Sequence, residues 1–160
     1  MSNLTIYKYP SKALRVKCMD IKGVSASEKK LMQEMLEVMH EACGIGLAAP
    51  QVGISTNIII VETDEGLLNM ANPKIMSTEG ASFLEEGCLS VPEKCVNVKR
   101  PEGITVSYID ENDKRCEKVF KALTARVIQH EIDHLNGKLI IDYLPWYRKI
   151  IGKGGAICRL

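Results

Sequence analysis

Apolar positions along the chain change their period twice. Over residues 25–43 they recur every three or four positions: Leu31, Met35, Met39 and Ala42 form a stripe that Met32, Leu36 and Cys43 widen. That spacing predicts an amphipathic helix burying one face. Ser25 followed by Glu28 predicts a capping box at its start, in which hydroxyl and carboxylate each take up an orphan backbone N–H, and Gly44 provides the stop. Downstream the pattern shortens to β-rich runs separated by turn residues, predicting strands over residues 57–62, 68–71, 75–83, 95–99, 104–109 and 115–120. Asp110, Glu111, Asn112 and Asp113 predict a hairpin turn. Helical spacing returns over residues 124–136 and ends at Gly137, and a last short helix is expected near Pro145, through Trp146, Ile150 and Ile151. Strands gathered between helices at both ends predict an α+β domain, not a βαβ repeat.

Composition narrows the function classes. With 160 residues, 46% of them apolar, the chain is expected to form one domain, residues 1–160, with a core of its own. Twenty-one Lys+Arg against 20 Asp+Glu argue against a protein that holds nucleic acid by a broad positive field. No apolar run is long enough for a membrane span, and residues 1–17 mix polar and basic positions with no apolar centre, unlike a secretory signal. A cytoplasmic protein is expected, its six dispersed cysteines mostly free thiols. Cys18, Cys43, Cys116 and Cys158 read as small buried hydrophobes.

The chemistry gathers in residues 129–137, QHEIDHLNG. On a helix His130 and His134 project from one face and can reach one metal ion, with Glu131 beside them, placed to exchange protons with a metal-bound water. At about 100° per residue, Ala125, Ile128, Ile132 and Leu135 cover one arc, while Leu123 and Val127 share the opposite arc with the histidines. Gln129, Asp133 and Asn136 form the polar strip. A helix apolar on two sides is central, where unpaired imidazoles are costly. Leu123 and Val127 would then wall a substrate side chain.

A catalytic metal needs a third protein ligand and an open position. After His134 there is no further His or Glu, and Asp142 is the only acid, so the ligand comes from upstream. Cys88, in EEGCLSVP between two strand-like runs, is the strongest candidate, well ahead of Cys95. Residues 44–51, GIGLAAPQ, carry little side-chain bulk and read as a tight loop or buried strand, although Gln51, if it points inward, could hydrogen-bond an oxyanion. A peptidase sharing only the helix motif remains a second reading, which the missing downstream ligand disfavours. A structural zinc module is a third, and it needs a fourth ligand that Cys95 alone could supply.

Together the three segments resemble the peptide deformylase family, whose pattern runs G-x-G-x-A-A-x-Q, E-G-C-x-S, Q-H-E-x-D-H-L-x-G. They match at residues 44–51, 86–90 and 129–137, in the same order and separation, and Tyr9-Pro10 with Leu14-Arg15 resembles the family's start. The resemblance implies a peptide-deformylase-like α+β fold, with mixed and antiparallel strands around a central H-E-x-x-H helix. It also implies a metal-dependent hydrolase of protein biosynthesis that releases formate from N-formylmethionyl nascent peptides. By the same resemblance Cys88, His130 and His134 hold one divalent ion, Fe(II) in the cell, with Zn(II), Ni(II) or Co(II) able to serve. Glu131 is the proton carrier, and Gln51 and the Leu89 backbone N–H stabilise the oxyanion. Gly46 contacts the substrate backbone, and Ile45, Leu123 and Val127 form the methionine pocket. The chain departs from the pattern at Cys95, where many members carry Arg. Basic Arg148, Lys149, Lys153 and Arg159 would allow a transient ribosome contact, with no membrane and no sequence-specific nucleic acid among the partners.

Overall fold

The computed structural model describes residues 4–145. The expected helix through Trp146, Ile150 and Ile151, the basic residues 148–159 and Cys158 lie outside them. Helix α1 (Ala26–Glu41) starts at the expected capping box: Ser25 accepts from the Ser27 N–H and the Ser25 N–H donates to Glu28. Met32, Met35, Val38 and Met39 form its buried face. Cys43 departs from the expected stripe. The helix has ended, Cys43 takes a left-handed φ of 54°, and its side chain is exposed. Cys116 is half-buried rather than buried, and Cys18 is buried as expected.

Strands β1 (Gly46–Ala48), β2 (Ile58–Thr63), β3 (Gly66–Glu79), β6 (Gly103–Ile109) and β7 (Arg115–Lys121) form a five-stranded sheet in the order β1-β2-β3-β6-β7. Strands β4 (Ser82–Cys88) and β5 (Val91–Arg100) form a separate two-stranded sheet. Every ladder is antiparallel, and a lone parallel bridge joins Met19 and Thr56. The expected runs 68–71 and 75–83 are divided differently. Asn72, at φ 50°, and Pro73, which has no N–H to donate, interrupt the apolar alternation, but β3 continues past them through shifts of register against β6. The chain then turns at Gly80, so Phe83 belongs to β4.

Strand β2 explains why two helices are needed. Ile58, Ile59, Ile60 and Val61 are all fully buried, as a continuous apolar run with both faces covered must be. Ile58 and Ile60 pack with Met35 and Met39 of α1. Ile59 and Val61 pack with Ala125, Val127 and Ile128 of the second helix, α2 (Ala122–Leu135). Helix α2 is therefore central: residues 124–131 are all buried. Even Gln129, expected in a polar strip, is buried, donating from Nε2 to the carbonyls of Pro101 and Ala125. Gly137, at φ 70°, ends the helix where a Cβ would lie 2.8 Å from the Arg15 carbonyl oxygen. Helices and sheets thus form the expected α+β arrangement around the H-E-x-x-H helix.

Candidate active site

Three elements meet at the site. Helix α2 supplies His130, Glu131 and His134. The β4–β5 hairpin supplies Cys88 at the last residue of β4, with Leu89 and Ser90 as a two-residue turn before Val91 pairs back. Strand β1 and the short 3-10 turn after it (Ala49–Val52) supply Gly46 and Gln51. Small residues let these elements approach. A Cβ at Gly44 would lie 2.7 Å from Leu89 Cδ1, and one at Gly46 would collide with Glu131 Oε1 and lie 2.7 Å from Val127 Cγ1.

Cys88 Sγ lies 3.2 Å from His134 Nε2, which lies 3.3 Å from His130 Nε2. Ligand atoms of the three residues all fall within 4.8 Å of one another. Two nitrogens about 2.0 Å from one tetrahedral cation would be about 3.3 Å apart, and a thiolate sulfur about 2.3 Å from it would sit about 3.5 Å from each. The donor set thus fits one borderline divalent ion. Cys95 is outside this cluster and is disulfide-bonded, unlike the free thiols Cys18, Cys43, Cys88 and Cys116. The fourth ligand that a structural site would require is therefore not supplied by Cys95.

Electrostatics distinguish the two imidazoles. Burial pulls the His130 pKa down, but hydrogen bonding to Cys88 and Glu86 outweighs it and the value is pushed up to about 10. Burial and the neighbouring His130 charge push His134 well below its ordinary value. Burial also raises Glu131 to about 7. Its Oε2 is buried without a hydrogen-bond partner, as is His134 Nδ1.

Gln51 does point inward and is 1% exposed. The Ala48 N–H donates to Gln51 Oε1 at 2.8 Å, which turns Nε2 toward Ser90 Oγ at 3.1 Å and Cys88 Sγ at 3.8 Å. Val127 is buried against Gly46, while Ile45 and Leu123 are 48% and 49% exposed. Leu123 lies one helical turn before Val127 on the same helix face, and Ile45 directly precedes Gly46 in the chain.

Sequence reasoning missed the charges behind the histidines. Glu86, 7% exposed, accepts from His130 Nδ1 at 3.0 Å and from both Arg100 and Arg126. Burial would raise its pKa, but bonds to His130 and Arg100 prevail and hold it down to about 2. The available signal was Arg126 itself, the one charged residue over 122–129, one turn before His130.

The polypeptide deformylase family model matches residues 3–149. The chain belongs to the peptide deformylase family. Peptide deformylase of Thermodesulfovibrio yellowstonii is 42% identical over 159 residues, covering 96% of each chain. That of Synechocystis is 46% identical over 145 residues, covering 87% of this chain and 78% of the relative. The crystal structure of peptide deformylase from Ehrlichia chaffeensis in complex with actinonin superposes with a TM-score of 0.90 at 37% identity, covering 94% of both chains. This peptide deformylase family member is a hydrolase that removes the N-terminal formyl group from nascent peptides. Among the described residues no helix is long and apolar enough to cross a membrane.

Proposed function

We propose that Cys88, His130 and His134 hold one divalent cation at which N-formylmethionyl peptides are hydrolysed, and that Glu131 moves the proton. The observation that carries this reading is the convergence of one sulfur and two imidazole nitrogens beside a buried carboxylate oxygen with no partner. When bound, such a cation supplies Lewis acidity, which makes water a nucleophile near neutral pH and polarises the formyl carbonyl. Two imidazoles and a thiolate suit Fe(II), Zn(II), Co(II) and Ni(II), with Fe(II) as the cellular ion.

Glu131 Oε2 takes the proton that water loses as its oxygen attacks the formyl carbon. It returns that proton to the peptide nitrogen as the C–N bond breaks, leaving formate and a free amine. A carboxylate raised to about 7 suits both transfers near neutrality. Charge growing on the formyl oxygen is met by the Gln51 Nε2 N–H directed at Cys88, whose orientation the Ala48–Oε1 bond fixes, and by the Leu89 N–H at the hairpin turn. Gly46 offers its backbone to the peptide, and Ile45, Leu123 and Val127 take the methionine side chain. The enzyme acts in the cytoplasm, where nascent chains emerge, and basic residues 148–159 support a transient ribosome contact.

Glu131→Gln tests the proton assignment. The variant is expected to keep its metal and its fold while formate release from a formyl-Met peptide falls on the order of 10²- to 10⁴-fold. Release at the parent rate would remove Glu131 from this role.

A further inference from the structure

The ligands proposed above come from two bodies, Cys88 from the β4–β5 hairpin and the imidazole pair from α2. Their relative position must be set by whatever ties hairpin to helix. Arg126, 6% exposed on α2, makes such a tie. Its Nη1 donates to Glu86 Oε1 at 2.7 Å and to the Val98 carbonyl of β5 at 3.0 Å, and its Nη2 donates to the Ser82 carbonyl at 3.0 Å and Ser82 Oγ at 2.9 Å at the start of β4.

Glu86 is in turn saturated. Oε1 accepts from Arg100 Nε at 2.6 Å and from Arg126, and Oε2 accepts from Arg100 Nη2 at 2.9 Å and His130 Nδ1 at 3.0 Å. Those four donors use the four lone-pair positions of a carboxylate, so it is pinned in one orientation. A proton fixed on His130 Nδ1 leaves the Nε2 lone pair facing Cys88 and His134.

We propose that Arg126 is a positioning residue for the metal centre, acting through Glu86 to aim His130 and through β4 and β5 to set the distance between Cys88 and the histidines. The inference rests on the ligand set of the preceding section. The Arg126 guanidinium bonds only to Glu86, Val98 and Ser82, and to none of the proposed ligands or Gly46, so its removal acts on metal binding and kcat and leaves KM for the formyl peptide close to the parent value.

The test uses enzyme loaded with Zn(II) or Co(II) and compares the parent with Arg126→Gln, Arg126→Lys and Cys88→Ala. Metal affinity is read by competition with a chromophoric chelator, and ligand geometry by the Co(II) absorption spectrum. Arg126→Gln is expected to weaken affinity on the order of 10- to 100-fold and to shift the Co(II) bands. Lysine, a point charge that cannot span Glu86 and two carbonyls at once, recovers part of the affinity. A folded Arg126→Gln enzyme with parent affinity and parent Co(II) spectrum overturns the proposal, leaving Arg126 as a strap between elements. Should the glutamine variant fail to fold, Arg126→Lys decides in the same way: weaker affinity with shifted bands supports the proposal, and parent values overturn it. Cys88→Ala separates the two levels. Loss of metal there with none at Arg126 rejects this inference alone, whereas parent affinity in Cys88→Ala rejects the ligand set and this inference with it.

Discussion

At Gly46 the backbone of β1 passes directly against the Glu131 carboxylate, leaving no room for a methyl group between Glu131 Oε1 and Val127 Cγ1. Gly46→Ala must therefore push the Glu131 carboxylate, the proposed proton carrier, aside or move the strand. Misplacing a catalytic group by about an ångström costs on the order of 100-fold in rate. Formate release by Gly46→Ala is expected to fall by that order while metal content stays at the parent level. A variant as fast as the parent would show that Glu131 does not need this position. At the same scale, the candidate ligands were legible because their chemistry is rare in this chain: three histidines in all, two of them four residues apart, and a cysteine between a glycine and a turn. Glu86 and Arg126 were not. A buried ion pair reads in sequence like two surface charges, and only the fold shows that Glu86 faces His130 and that Arg126 reaches across to β4 and β5.

Elements were legible where their signals are local. Helix α1 follows from its cap and period, the Ser25–Glu28 box being formed as expected, whereas α2 follows from period and its Gly137 stop and starts two residues earlier than its spacing suggests, without a side-chain cap. Ser25→Ala removes one half of that box and is expected to lower stability by about 1 kcal/mol, read as a shift of the urea midpoint at unchanged slope. Formate release per folded enzyme should stay at the parent rate, because Ser25 is exposed at the start of α1 and its side chain bonds only to Ser27 and Glu28, away from the site residues. A change in rate without a change in midpoint would contradict that division of labour. Strand limits were harder. Pro73 and Asn72 look like a break, yet β3 crosses them because its neighbours β2 and β6 hold the rest of the strand in register. Strand β4 was hidden because Phe83, which made its start read as a continuation of β3, remains exposed on a separate hairpin.

Across the whole molecule, the order β1-β2-β3-β6-β7 and the separation of the β4–β5 sheet could not be read from the chain, since each pairing of distant strands is decided by burial and not by local pattern. What the pattern does show is that the Ile58–Val61 run and the two-sided α2 both need cover on two faces, and they meet that need against each other. Cys18, buried in the core they share, carries a thiol that burial pushes up to about 11 from 9.0. The folded state therefore keeps its proton where the unfolded chain has lost it. This contribution to stability is complete below pH 9 and is lost as pH rises through about 11. Urea unfolding at pH 8 and pH 11 is expected to show a larger alkaline loss in the parent than in Cys18→Ala, by at most about 1.4 kcal/mol for each pH unit between the two pKa values. Equal losses would place Cys18 in contact with solvent.

Every role assigned at the site depends on one cation held jointly by hairpin and helix. X-ray absorption at the metal edge of the Zn(II)-loaded enzyme tests this most directly. The account predicts one sulfur at about 2.3 Å and two imidazole nitrogens at about 2.0 Å, with a light atom completing the shell; a first shell without sulfur, or with more than one, would contradict it.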